Sequence, residues 1–163
     1  MGIEDEVLAR LKERFPKTFL DMAPVRPKVA LIKIDRKDLV EVCFYLKEEL
    51  DFEHLSCITA VDWRDRFECV YHFTRYSDGA MLQLNAVIPR DDPKIESLSK
   101  IWHSAEYPER EAWELMGIVF DHHPNLKNIL LPKDYPYFPL RKDFPQETDR
   151  QYISRRKLKT GGA

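Results

Sequence analysis

The sequence predicts an α+β fold: a two-layer domain with helices packed on a mixed, mostly antiparallel sheet, followed by an extended, proline-rich C-terminal arm. Three observations carry this expectation. Apolar residues recur at helical spacing in some stretches and alternate at strand spacing in others. Three strand-like runs follow one another with turns, not helices, between them. Five of the eleven prolines, Pro124, Pro132, Pro136, Pro139 and Pro145, crowd into the C-terminal quarter of the chain, where neither a helix nor a central strand can persist.

Ile3 to Phe15 reads as a helix, because Ile3, Val7, Leu8, Leu11 and Phe15 recur three and four apart and Pro16 ends it. An extended piece, Thr18 to Met22, leads through Pro24 and Pro27 into a strand over Lys28 to Ile34, with Val29, Leu31 and Lys33 facing opposite to Ala30, Ile32 and Ile34. Asp35 is placed to cap the next helix, whose apolar stripe is Leu39, Val42, Cys43, Leu46 and Leu50. Leu55 to Trp63 is a strand rich in β-branched residues. Arg64 to Arg66 turns the chain, and Phe67, Cys69, Tyr71 and Phe73 alternate with polar residues on the return. Asp78-Gly79 signals a type I′ hairpin, with positive φ at both central residues, before a strand from Met81 to Ile88. Asp92 to Ser104 carries Ile95, Leu98 and Trp102 at helical spacing. A further helix runs from Pro108 to Met116, with Gly117 ready to close it.

A chain of 163 residues, 44% apolar and 12% aromatic, can supply the core of one compact domain. Its acidic first residues and short apolar runs lead us to expect neither an export signal nor a membrane span. The 26 basic and 28 acidic residues are intermixed, so no basic stripe of the kind that duplex nucleic acid selects is present. Cys43, Cys57 and Cys69 match no metal knuckle, and their odd number suits no simple disulfide framework, so buried free thiols in a reducing cytoplasm are expected. The many charged residues and few Asn and Gln are a bias found in thermophile proteins.

The expected division is an α+β domain over residues 1–120 and an arm over 121–163. The arm carries Leu126, Ile129, Leu130, Leu131, Tyr135, Tyr137, Phe138, Leu140, Phe144, Tyr152 and Ile153, a composition opposite to that of a disordered tail. So long an irregular apolar segment needs a surface to cover it. An arm lying on a partner is the favoured reading, and wrapping around the chain's own sheet is the alternative.

Several residues invite a catalytic reading. His122 and His123, with His103 and Glu106, could be taken for metal ligands, but neighbouring side chains in extended chain point to opposite sides, and neither HExxH nor CxxC occurs. Glu109, Glu111 and Glu114 could supply a general acid and base. Acidic residues in a first helical turn are also favoured by the helix dipole, and Arg110 and Glu114 form an i, i+4 pair. A small metal-dependent hydrolase using His123, Glu111 and Glu114 is therefore the alternative enzymatic reading. A scaffold whose arm docks on its own copies is a third. With glycine only at 2, 79, 117, 161 and 162, a phosphate-binding loop is excluded. Asp143 beside Arg141 suggests a local or intersubunit ion pair, and Arg155, Arg156, Lys157 and Lys159 make a basic end.

Taken together, Glu109-Arg110-Glu111, Glu114, Gly117-Ile118, Phe120, His123-Pro124, Leu126, Ile129-Leu130 and Pro139-Leu140-Arg141-Lys142-Asp143-Phe144-Pro145 resemble a known signature. It is that of the thirty-kilodalton subunit of respiratory complex I, the NADH:quinone oxidoreductase, and of the related subunit of membrane-bound energy-converting hydrogenases. Glu114 stands where Asp is usual, His122 where Gly is common, Lys127-Asn128 where Arg-Arg is frequent, and Phe138 where Gly-His often precedes the proline.

The resemblance implies a noncatalytic structural subunit, peripheral on the cytoplasmic side of the cell membrane, without a cofactor of its own. Its partners would be the large catalytic subunit and the iron–sulfur subunits of the same complex. Iron–sulfur clusters, or a nickel-iron centre, would lie in those neighbours. The resemblance also implies a partner interface built from Glu109, Arg110, Glu111, Glu114, His123, Pro124, Leu130, Tyr137, Pro139, Arg141, Lys142 and Asp143. In it the first three would start the helix, His123-Pro124 would be the hinge into the arm, and Arg141-Lys142-Asp143 its polar clasp.

Overall fold

The computed structural model describes residues 2–145 together with Glu147 and Tyr152. The expected basic end, Arg155 to Lys159, and Ile153 lie outside the described residues. The chain begins with α1 (Ile3–Arg14), β1 (Phe19–Arg26), β2 (Val29–Asp35) and α2 (Leu39–Glu48). It continues with β3 (His54–Asp62), β4 (Arg66–Thr74), β5 (Met81–Pro89), β6 (Lys94–Glu96), α3 (Glu106–Met116) and β7 (Val119–Asp121).

Five strands form one sheet in the order β1-β2-β5-β4-β3, and β6 and β7 pair separately in parallel. All neighbours in the large sheet are antiparallel except β2 and β5, which run parallel in the register Ala30↔Leu82 to Ile34↔Ala86. The α+β, two-layer expectation therefore holds. Strand alternation selects one face for the core: Ala30, Ile32 and Ile34 of β2, Leu82, Leu84, Ala86 and Ile88 of β5, and Phe67, Cys69, Tyr71 and Phe73 of β4 are buried there. Val7 and Leu11 of α1, Leu39, Val42, Cys43 and Leu46 of α2, and Ala112 and Met116 of α3 join the same core. Among the described residues no helix is long and apolar enough to cross a membrane.

Cys43 and Cys69 are buried as expected, but Cys57, on the edge strand β3, is exposed. Three further local expectations are corrected. Residues 92–104 do not form a helix; β6, a turn and a short 3-10 segment (His103–Ala105) stand there. Ile95, Leu98 and Trp102 are nevertheless buried, because irregular chain can turn the same spacing inward. Non-local pairing of β6 with β7, and Ser97 and Ser99 bonding each other through their hydroxyls at 2.7 Å, compete with a helix here. The β4–β5 connection is not a type I′ turn, since only Gly79 has positive φ, at 72°. The longer loop is closed by the Arg75 N–H donating to the Ala80 carbonyl and is stapled by an Arg75–Asp78 ion pair at 2.6 Å. Finally, α3 starts at Glu106, which puts Pro108 in its first turn, where no intrahelical N–H is required.

Candidate docking site

α3 positions the charged cluster. It ends at Gly117, whose φ of 72° is the left-handed conformation that glycine adopts without penalty. The same glycine lets the later chain approach closely: a Cβ there would fall 2.8 Å from the Phe138 ring and nearer still to the Arg141 guanidinium.

Residues 122–145 contain no helix or strand, so their backbone groups need other partners, and side chains of α3 supply them. Arg110, buried against the Tyr107 ring, donates from Nε to the Lys127 carbonyl at 3.0 Å and from Nη2 to that of Asn128 at 3.4 Å. One helical turn on, the buried Glu114 carboxylate accepts three consecutive backbone N–H groups, from Ile129 at 3.1 Å, Leu130 at 2.7 Å and Leu131 at 3.2 Å. The expected Arg110–Glu114 ion pair is therefore replaced. One loop offers carbonyls to the cation and amides to the anion, and several charge-assisted bonds displace a single pair.

A second attachment lies at the β3–β4 corner. The buried Asp62 carboxylate accepts from Arg90 at 2.6 Å, from the Arg64 N–H at 2.7 Å and from the Lys142 N–H at 2.9 Å. Burial pushes its pKa up, but the Lys142 N–H, the Arg90 guanidinium and the Arg64 N–H outweigh it, so the net direction is down. Arg90 also pairs with Asp143 at 2.9 Å, which corrects the expected Arg141–Asp143 pair. Arg141 instead donates from Nε to the Met116 carbonyl at 2.6 Å and lies over the Phe138 and Phe67 rings. Burial lowers its pKa. The Leu140 N–H donates to the Leu115 carbonyl at 3.2 Å. Arg141-Lys142-Asp143 thus clasps this chain's own body.

The two histidines diverge. His122, at φ 60°, is exposed and bonds the Glu96 carboxylate through Nδ1 at 3.0 Å. The His123 ring is enclosed: Nδ1 accepts the Asn125 N–H at 3.0 Å, which leaves Nε2 to donate to the Glu106 carbonyl at 3.0 Å. Beside it, at 3.9 Å, lies the fully buried Glu109 carboxylate, which accepts from the Leu98 N–H at 2.7 Å and the Ser97 hydroxyl at 2.5 Å. Burial pushes Glu109 up to about 7, against the pull of those two donors. The hydrolase trio does not assemble. Glu111 is exposed, Glu114 is engaged by three amides, and His123 faces a carbonyl. Among the described residues no three His, Cys, Asp or Glu side chains converge as a metal site would require.

Glu109, Arg110, Glu114, His123, Arg141, Lys142 and Asp143 therefore gather around α3 and the arm, whereas Glu111 and Pro124 face solvent and Pro139 is half-buried. Leu130 and Leu140 are 62% and 59% exposed, and Tyr137 and Phe138 are 37% and 38% exposed. Leu126, Ile129, Leu131 and Tyr135 turn partly inward. Sequence reasoning missed Asp62, Arg90 and Ser97, whose partners stand far along the chain and carry no local signal.

Fold and site define a class: a two-layer α+β domain whose charged helix holds an irregular C-terminal segment to its body and leaves part of that segment's apolar surface outward. The chain belongs to the respiratory-chain NADH dehydrogenase 30 Kd subunit family, whose sequence profile matches residues 32–150. It is 39% identical over 153 residues to a subunit of the F(420)H(2) dehydrogenase of Methanosarcina mazei, a match covering 90% of this chain and 97% of that protein. It is 36% identical over 156 residues to a subunit of the NADH-quinone oxidoreductase of Geobacter sulfurreducens, covering 93% and 96%. A chain of the membrane-bound sulfane sulfur reductase, an archaeal respiratory membrane complex, shares the fold with a TM-score of 0.80 and 23% identity, over 93% of this chain and 91% of that one. A trypsin-resistant fragment of Nqo5 does so with a TM-score of 0.64 and 24% identity, over 75% and 98%.

Proposed function

We propose that this chain is a noncatalytic structural subunit of the peripheral arm of a membrane-bound, multi-subunit redox complex, where it docks on and braces the large catalytic subunit. Its relatives are named as subunits of an F(420)H(2) dehydrogenase and of NADH-quinone oxidoreductases. The observation that carries the docking role is the outward display of Leu130, Tyr137, Phe138 and Leu140 on a segment already fixed to the body. Exposed apolar surface of this kind marks an interaction site. Its partners are the large subunit and the iron–sulfur subunits. The complex sits at the cytoplasmic side of the membrane, which this chain meets only through its neighbours.

Electrons pass through those neighbours, which hold the iron–sulfur clusters or a nickel-iron centre. An iron–sulfur cluster is typically held by four thiolates, and this chain has only Cys43, Cys57 and Cys69. Burial pushes the Cys43 thiol well up and that of Cys69 up to about 12, the reverse of a ligating thiolate. The donor set does not fit a cluster.

The test is recovery of the large subunit with a tagged full-length chain. Leu130→Glu with Leu140→Glu is expected to leave the melting temperature unchanged and abolish recovery, and Arg141→Ala is expected to weaken assembly more than Arg155→Ala. Unchanged recovery with the double variant overturns the reading. Cutting the chain at residue 124 is a poorer test, because it strips Arg110 and Glu114 of their partners.

A further inference from the structure

The two edges of the large sheet are built differently. β1 is interrupted by register shifts between Phe19 and Asp21 and between Pro24 and Arg26, and a proline within it removes a donor. Such features blunt an edge against further pairing. β3, at the opposite edge, has none of them beyond its irregular start: its one shift lies between Leu55 and Cys57. From Leu55 to Val61 it reads Leu-Ser-Cys-Ile-Thr-Ala-Val, without charge, proline or glycine. An open strand of this composition is a template for another strand.

The register says which groups are open. Trp63 donates its N–H to the Arg66 carbonyl at 2.9 Å, and the ladder then pairs Val61 with Glu68 and Thr59 with Val70. Antiparallel alternation gives those residues the bonds to β4 and turns the N–H and C=O groups of Ile58 and Ala60 outward. Among the described residues no backbone hydrogen bond from outside the sheet reaches them.

Beside this edge runs a groove of about 240 Å³, lined by Ile58 and Ala60, by Pro108, Ala112 and Leu115 of α3, and by Leu140 of the arm. A strand added to β3 would lie over it and place every second side chain on the α3 stripe. Glu111, on the groove's rim, has neither an ion pair nor a hydrogen bond among the described residues.

We infer that β3 is a strand-addition site. It accepts one extended segment of a neighbouring subunit that is aliphatic at alternate positions and carries a basic residue to meet Glu111. This deepens the docking reading above and rests on it, since Leu140 joins the groove to the outward face of the arm. A second copy of this chain is a poor occupant. α3 carries Glu111 outward while its one basic residue, Arg110, is buried, so β3-to-β3 pairing would bring like charges together.

The test is backbone hydrogen exchange on the full chain, free and within its native complex, with two proline variants. The Ile58 and Ala60 amides are expected to exchange freely in the isolated chain and to slow by at least about tenfold in the complex. Ala60→Pro removes an outward donor, so it is expected to keep the wild-type melting temperature while recovery of the neighbour falls at least about tenfold. Thr59→Pro, which removes a donor to β4, is expected to destabilise the fold itself. Equal exchange at Ile58 and Ala60 in both states, or full recovery with Ala60→Pro, overturns the strand-addition site while leaving the docking role standing. Slow exchange in an isolated chain that sizes as a dimer overturns it in favour of self-pairing. Failure of the wild-type chain to recover any other subunit overturns the docking role and this inference with it.

Discussion

Replacing Glu109 with glutamine is expected to flatten the pH dependence of stability. The carboxyl is fully buried and burial raises its pKa from 4.5 to about 7. A group whose folded pKa is raised holds its proton more tightly in the folded state. Its contribution is therefore complete below the unfolded pKa, near 4.5, and is lost as pH rises through about 7. At about 1.4 kcal/mol per pKa unit, the loss across that window is roughly 3 kcal/mol. His123, Cys43, Cys69 and Tyr71 are the other titratable groups near this carboxyl. In Glu109→Gln the amide carbonyl accepts the Leu98 N–H and the amide nitrogen faces the Ser97 oxygen, which can accept. The variant has no proton to release. Thermal unfolding of both proteins from about pH 5 to about pH 8 should show the glutamine form gaining on the wild type by roughly 6 to 12 °C. Parallel pH profiles would refute the assignment of a buried, titrating carboxyl.

Three further outcomes are expected. Gly117→Ala forces a residue with a Cβ to φ 72° and into the Phe138 ring, costing about 2 kcal/mol or more in melting experiments and exposing the arm to protease. Glu114→Gln leaves the Ile129, Leu130 and Leu131 amides one neutral acceptor in place of a carboxylate, so it should cost on the order of 2 kcal/mol and speed exchange at Leu130. Asp62 has a lowered pKa, so its contribution is present above the unfolded value of about 3.9 and disappears as pH falls below it. Arm docking, read by exchange at the Lys142 amide, should loosen on acidification in the wild type and already be loose near neutrality in Asp62→Ala.

The sheet was legible because its pattern is local. β2 and β5 bury every second residue, and a register slip would turn each of those side chains to the other face. The stretch from Asp92 to Ser104 was not legible. Ile95, Leu98 and Trp102 satisfy a helical spacing, and only the distant strand Val119–Asp121 decides otherwise. The site divides along the same line. Glu109, Arg110 and Glu114 stand out as a charged helix stretch, but their directions depend on the Ser97 hydroxyl and Leu98 N–H on one side and on backbone groups from Lys127 to Leu131 on the other. Asp62 and Lys142 stand 80 residues apart, so no window along the chain could join them.

The arm shows how a proline-rich segment can be ordered without secondary structure. Prolines cannot donate, and an irregular chain offers its remaining amides no regular ladder. Here side chains from the body take the ladder's place. Glu114 accepts three amides, Asp62 accepts a fourth, and Arg110 and Arg141 occupy carbonyls on the two sides of the α3–arm junction. The entropy of ordering the segment is thus largely lost on folding and not on association. Under the proposed docking role, Leu130 and Leu140 would meet a partner from a fixed frame, and each side chain already immobilised would preserve about 0.5 to 1.5 kcal/mol of affinity. A charged motif that resembles catalytic machinery is, on this argument, the brace that keeps an apolar surface presented in one shape.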